Sequence, residues 1–414
     1  MNPTKHVCPG CTLLCDDIEI AKSGTETIAT NACEIGQAYY QLDVAAERIH
    51  CVAGQPVGLD SAITKAAEVL SASKAPLICG LDQLTTQAQQ SAWKLADTLG
   101  ATIDTTLTNS GRSSMFALQR NGNVSASLGE VANRSDLIVF WFCDPQSSHP
   151  RLIERLNAAA NHPVGRIIVI DEEKTKTAAV ADQFIQIAKS SGPAVIAALQ
   201  AILSGDKTGE HAPLESTGTT REELETLASK LSSAKYGSIF YGQPNPDSTF
   251  DLTTDSLTVL IKKLNDFTRF VGLKLRSDAN AQSAENVLAW STGYPFAVSH
   301  SSGYPRYNWL EHAAETTLTR GECDAVLLAT GVDMQLTLSD LSRTARDHLG
   351  AIPKITLSPI ENLPSDIAFQ IGVPGISESG EFCRLDDISL PVSSFTANCE
   401  PSAKTILDRI LELV

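Results

Sequence analysis

Four cysteines could hold a metal: Cys8, Cys11, Cys15 and Cys33, spaced C-x2-C-x3-C-x17-C. Three thiols this close in sequence can wrap one face of a metal centre, because a short loop aims them at one place. A distant fourth closes the site. Pro9 and Gly10 permit the tight turn such a loop needs. Four thiolates suit a [4Fe–4S] cluster, and also tetrahedral zinc. The spacing favours the cluster, since zinc sites usually pair one C-x2-C with another. A structural zinc knuckle, or four cysteines kept after a cluster was lost, are the other two readings. Cys79 and Cys143 lie in or beside apolar runs and read as buried packing thiols. Cys51, Cys323, Cys383 and Cys399 form no legible spacing.

Two further stretches are placed where chemistry could occur. Cys143-Asp144-Pro145-Gln146-Ser147-Ser148-His149-Pro150-Arg151 follows an apolar run, and so does Thr330-Gly331-Val332-Asp333. In open parallel sheets ligands bind just past the carboxyl ends of strands, so Asp144, His149 and Asp333 are candidates for a nucleotide-like cofactor. Spacing alone favours ordinary turn chemistry, because Asp-Pro and Gly-x-Asp are common turn formers. His149, His300 and His312, taken singly, read as hydrogen-bonded structural residues. No GxGxxG, P-loop, HExxH or GxSxG element occurs. Gly-Tyr-Pro occurs at Gly293 and again at Gly303, which marks two aromatic-braced turns.

The elements that must position these residues alternate along the chain. The first 36 residues read as Cys-rich loop, followed by a helix over Glu34 to Ala46. Helical spacing of apolar residues then predicts helices over Asp60–Leu70, Thr86–Leu99, Arg151–Ala160 and Leu257–Phe267. Pro401 to Val414 reads as a terminal helix with its proline near the start. Short apolar runs, β-branched and aromatic in Asp136–Phe142, predict strands at Ala75–Cys79, Asp136–Phe142, Arg166–Ile170, Ser238–Tyr241, Ala325–Ala329 and Ile355–Leu357. This rhythm, with short connections, is that of parallel sheets covered by helices. The polar stretch Ser204 to Thr220 reads as an exposed loop.

Composition narrows the class. The chain has 414 residues, 43% apolar and 19% charged, as ordinary globular proteins do. Its formal net charge of −16 repels phosphate backbones and anionic lipid, so nucleic acid and membranes are poor partners. The start is short and polar with no secretory signal. The longest strongly apolar stretch, Leu137 to Cys143, is too short to span a bilayer. The expectation is a cytoplasmic protein whose ten cysteines serve as metal ligands or buried thiols rather than disulfides.

At these residues the sequence resembles a known family. Cys8-Pro9-Gly10-Cys11-x3-Cys15-Asp16-Asp17-Ile18 and Asn31-Ala32-Cys33-x-Ile35-Gly36 resemble the start of formylmethanofuran dehydrogenase B subunits. The loop ending His149-Pro150-Arg151, Lys174-Thr175-Lys176-Thr177-Ala178, Ala181-Asp182, Thr292 through Asn308, and Gly375 through Asp386 are similar too. The resemblance spans nearly the whole chain. It implies an α/β, molybdopterin-oxidoreductase-like fold: a Cys-rich iron–sulfur-type cap over 1–50, a discontinuous α/β domain over 51–108 and 275–414, and an inserted α/β domain over 109–274. Both α/β domains would be doubly wound parallel sheets.

The resemblance also implies where the chain departs from its relatives. Dehydrogenase members ligate tungsten or molybdenum, held by two pterin guanine dinucleotides, through a cysteine directly followed by a histidine. Here Ser110-Gly111 fall at that place. A catalytic arginine in a Thr-Arg-Gly context has no counterpart around Gly242 to Phe250. A Gly- and Asn-bearing cofactor loop is replaced by Arg276-Ser277-Asp278-Ala279-Asn280-Ala281. That pattern is similar to the B subunit of the bacterial formyltransferase/hydrolase complex. The resemblance then implies a non-redox scaffold subunit working with A, C and D subunits in methanofuran- and tetrahydromethanopterin-dependent one-carbon metabolism, on the route from formaldehyde to formate. A [4Fe–4S] cluster is expected and a molybdenum or tungsten pterin is not. Two alternatives stand beside it: an active dehydrogenase subunit with Ser110 as metal ligand, since serine ligates molybdenum elsewhere in the superfamily, and a stand-alone iron–sulfur electron-transfer module.

Overall fold

A computed structural model describes residues 5–23, 26–42, 48–107, 112–159, 165–205, 217–242, 252–276, 280–331, 338, 341–359, 365–396 and 400–414. The chain forms two compact units, Met1–Asn109 with Asp278–Val414, and Ser110–Ser277.

The first unit is built on a nine-stranded sheet. Its centre is five parallel strands in the order Thr102–Ile103, Pro76–Cys79, Ala325–Ala329, Lys354–Ser358, Ile367–Gln370. Antiparallel pairs extend both sides: Val298–Ser299 and Arg306–Tyr307 at one, His50–Val52 and Gln55–Val57 at the other. The two-residue period of a strand sends alternate side chains to opposite faces. Ile78, Leu327 and Ala329 join a core under the helices Leu59–Ala72, Thr86–Leu99, Ala281–Thr292 and Ala403–Leu411. Leu77, Cys79, Val326 and Leu328 face the other way, toward the helices Ala314–Arg320 and Arg343–Ala351. Burial on both faces explains why these strands read as continuous apolar runs.

The N-terminal cap belongs to this unit. Residues expected to be loop instead form three antiparallel strands, Lys5–His6, Ile18–Ser23 and Glu26–Thr30. Ile18 and Ala29 are fully buried while Glu19 and Thr30 on the opposite face are not. The alternation that makes them strands is only a few residues long, too short to stand out among closely spaced cysteines. The helix expected over Glu34 to Ala46 is Glu34–Tyr40, capped at Gln41. Val7 and Leu14 of the cap pack on Phe382 and Val392 of the two-stranded ribbon Gly380–Cys383 and Ser389–Val392.

The second unit holds five parallel strands in the order Gln183–Gln186, Arg166–Asp171, Leu137–Trp141, Tyr236–Tyr241, Arg269–Lys274. Its own core joins Val139, Trp141, Ile168, Ile170 and Ile239 to the helices Gly192–Leu203, Arg221–Ser233 and Leu252–Leu264. No helix among the described residues is long and apolar enough to cross a membrane.

Candidate functional site

The thiols are positioned by the tight turn of the cap. The Cys8 amide donates to the Cys15 carbonyl at 2.8 Å, and the Leu14 amide to the Cys11 carbonyl at 3.2 Å. Closing that loop puts Leu14 at φ +45°, in the left-handed region. Cys33 precedes the helix Glu34–Tyr40, and its carbonyl accepts from the Gln37 amide at 2.8 Å. Gly36 leaves room for a thiol, because a Cβ there would lie 3.1 Å from Cys8 Sγ. Cys8 and Cys15 are buried, while Cys11 and Cys33 are half-buried.

The electrostatics of this cluster ask for a cation. Burial pushes the Cys11 thiol up to about 12; the Leu13 amide opposes this, and Cys15, Cys8 and Cys33 add to it by repulsion. Thiolates held this close repel one another, so all four are deprotonated together only with positive charge among them. Among the described residues no three His, Cys, Asp or Glu side chains are arranged to hold a single metal ion. A zinc site needs all four sulfurs about 2.3 Å from one point. In a cubane cluster each thiolate binds a different iron, so the sulfurs stand further apart.

In the same unit, the carboxyl ends of the parallel strands form a second locus. Gln83, Thr330, Pro359 and Gly372 follow four of these strands and, with Pro9 and Tyr39 of the cap, line a cavity of about 60 Å³. That is small beside the ~300–1,000 Å³ of typical ligand pockets. The Tyr39 hydroxyl donates to the Pro374 carbonyl at 2.9 Å. Glu378 packs against Gly372 and is buried. Burial pushes its carboxyl up to about 7, against the pull of Arg48 and of the Ala403 and Gly372 amides. Asp104, fully buried just past Thr102–Ile103, accepts from the amides of Thr105 at 2.9 Å, Ala297 at 3.2 Å and Ala314 at 2.7 Å. It fixes the start of the segment that leads to Ser110. Ser110, Gly111 and Asp333 themselves lie outside the described residues.

In the second unit the structure places Asp144 and His149 on one loop after Leu137–Trp141. Asp144 accepts from the Thr177 amide at 2.9 Å, from the Thr177 hydroxyl, and from the Ser147 hydroxyl at 2.6 Å. Burial disfavours its charge, but these bonds outweigh that and hold the carboxyl below its ordinary range. The Gln146 amide donates to Thr177 Oγ1 at 3.1 Å. This stitches the loop to its neighbour after Arg166–Asp171. His149 is buried beside Ser148 Oγ at 2.9 Å, and burial pushes it down to about 4 despite a hydrogen bond with the Arg276 backbone. Both side chains therefore tie the loop to itself and to neighbouring segments, at Thr177 and at Arg276.

Sequence reasoning passed over Thr177, Glu378, Arg48 and Asp104 as site residues. Thr177 lies in the Lys174–Ala178 stretch and Glu378 in the Gly375–Asp386 stretch, so only the resemblance pointed near them. Asp104 heads the stretch that resembles the family's up to Ser110-Gly111, and Arg48 carries no local signal.

No family model matches the chain. Among curated proteins it is similar to the B subunit of tungsten-containing formylmethanofuran dehydrogenase 2 of Methanocaldococcus jannaschii. The two are 30% identical over an alignment of 414 positions that covers 93% of this chain and 91% of that one. The chain belongs to the family of formylmethanofuran dehydrogenase B subunits. The B subunit of the formyltransferase/hydrolase complex Fhc of Methylorubrum extorquens is 28% identical over 281 residues, 67% of this chain and 73% of that protein. Among solved structures, a chain of the Methylorubrum extorquens FhcABCD complex with methylofuran aligns with a TM-score of 0.71 at 24% identity. It covers 88% of this chain and 98% of that one. Acetylene hydratase from Pelobacter acetylenicus aligns with a TM-score of 0.67 at 13% identity, over 99% of this chain and 69% of that one. These likenesses give this member of the family the fold of the molybdopterin oxidoreductases.

Proposed function

We propose that this chain is the non-redox B subunit of a formyltransferase/hydrolase complex, assembling with A, C and D subunits that move a formyl group from a tetrahydromethanopterin carrier through a methanofuran-type carrier to formate. The chain supplies scaffold and interfaces. Cys8, Cys11, Cys15 and Cys33 hold a [4Fe–4S] cluster that ties the cap together, and no tungsten or molybdenum pterin is bound. The carrying observation is Ser110-Gly111 at the place of the family's Cys-His pair. The engagement of Asp144 with Thr177 and of His149 with Ser148 supports it, since both side chains already hold protein partners.

A second reading, an active dehydrogenase subunit with Ser110 as metal ligand, is favoured by one observation. The dehydrogenase relative matches 93% of the chain, against 67% for the Fhc relative. Elemental analysis of anaerobically purified protein for Fe, Zn, Mo and W, with a pterin assay on the same sample, separates the two. Iron at about four per chain without Mo, W or pterin supports the scaffold reading. Mo or W together with pterin overturns it. In the assembled complex Ser110→Ala is expected to leave formate release nearly unchanged, and a collapse of activity in an intact complex would count against the proposal.

A further inference from the structure

We infer that the run from Trp290 to Leu310 is a docking surface for an extended, carboxylate-bearing segment of a partner subunit. This rests on reading the chain as one subunit of a hetero-oligomer, and adds where a partner sits and what chemistry it presents. Trp290, Tyr304 and Leu310 are exposed by 68%, 60% and 55%, and Tyr294 is exposed as well. Single exposed apolar residues are ordinary, but four within twenty-one residues form a concentration that monomers seldom carry without use. Trp, Tyr and Arg are the residue types that dominate interface energetics.

The surface is rigid. Tyr294 stacks on Tyr307 with ring centroids 5.3 Å apart and planes at 10°, and fully buried Phe296 meets Tyr307 edge-on at 5.6 Å. A partner would therefore lose little freedom to conformational ordering on this side. Arg306–Tyr307 is the edge strand of the nine-stranded sheet, paired only with Val298–Ser299 among the described strands. An open edge invites an added extended segment.

Charge selects the occupant. From Asn286 to Leu310 the only charged residue is Arg306, in a chain of net charge −16. Arg306 is exposed and makes no ion pair among the described residues. A carboxylate on the incoming segment would complete it. A two-fold dimer through this face would instead set Arg306 against its own copy. The complementary occupant is thus a different chain, with apolar side chains for the aromatic groups and an acid for the guanidinium.

The test is assembly of the full chain with A, C and D subunits. Affinity is read by biolayer interferometry, and backbone protection by hydrogen exchange. Wild-type protein is expected to assemble with protection gained over 290–310. Arg306→Glu, an exposed change, is expected to weaken assembly about 30-fold or more with circular dichroism and Tm unchanged. Trp290→Ala is expected to act in the same direction. Assembly of wild type and both variants with equal affinity, or without protection of 290–310, overturns this inference and leaves the subunit reading standing. Failure of the wild type to assemble overturns both. Self-association of the chain alone that Arg306→Glu abolishes also overturns it, because the occupant is then a second copy.

Discussion

Glu378 sets a stability dependence of unusual sign. Burial, only partly offset by Arg48 and the Ala403 and Gly372 amides, lifts its carboxyl from 4.5 to about 7, with Glu400 adding repulsion. The folded state therefore keeps a proton that the unfolded chain has already released. That stabilisation is full below the unfolded pKa and is lost as pH rises through about 7. The shift corresponds to something on the order of 3 kcal/mol. Glu378→Gln removes the titration. The variant's Tm advantage over wild type is expected to grow between pH 5 and pH 8, and a constant difference across that range would show the carboxyl to be ordinary. His149 has the opposite slope. Its folded pKa of about 4 lies below the unfolded 6.5, so its contribution is present above 6.5 and lost as pH falls through that window. NMR of the imidazole at pH 5.5 should show a neutral ring, and a charged ring would contradict the burial argument.

At the scale of the element, the cap and the strand ends behave differently. Gly80 follows Pro76–Cys79 at φ +80°, and a Cβ there would lie 2.1 Å from the Ala329 carbonyl oxygen. Gly80→Ala is expected to cost more than about 1 kcal/mol, because an L side chain pays at positive φ and backbone must move as well. An unchanged Tm would mean that the two strand ends separate freely. The cap depends on its thiols. If a cluster joins them, Cys8→Ser should lower iron content and speed hydrogen exchange over 5–42, whereas unaltered iron and unaltered exchange would remove the cluster from the account. Legibility follows the same division. Helix Thr86–Leu99 and strand Ala325–Ala329 were readable to the residue because a long amphipathic period marks the one and a short, wholly apolar run between Asp324 and Thr330 marks the other. The cap strands were not, since Lys5–His6 has two residues and pairing partners set it rather than propensity. The four cysteines were readable as a spacing. The bracing roles of Asp104 and Glu378 were not, because their partners lie far away in sequence, at Ala314 and at Arg48.

The whole molecule carries 48 acidic against 32 basic side chains, hence −16. Excess charge of one sign repels itself in the compact state and relaxes on unfolding. Among the described residues the ion pairs are mostly local and exposed, such as Lys65–Glu68 at 2.8 Å and Arg134–Glu130 at 2.9 Å. Pairs of this kind contribute roughly 0–1 kcal/mol each and weaken in salt. Two effects of salt thus oppose each other. Screening lowers the long-range repulsion among many acids, and it also lowers a few short attractions. The Debye length falls from about 30 Å at 0.01 M to about 8 Å at 0.15 M, which removes interactions across the molecule while leaving contacts under 3 Å partly intact. Repulsion should therefore yield first. The Tm is expected to rise between 10 and 150 mM sodium chloride at pH 7.5, and a fall over that range would show that the local pairs, and not the net charge, govern stability.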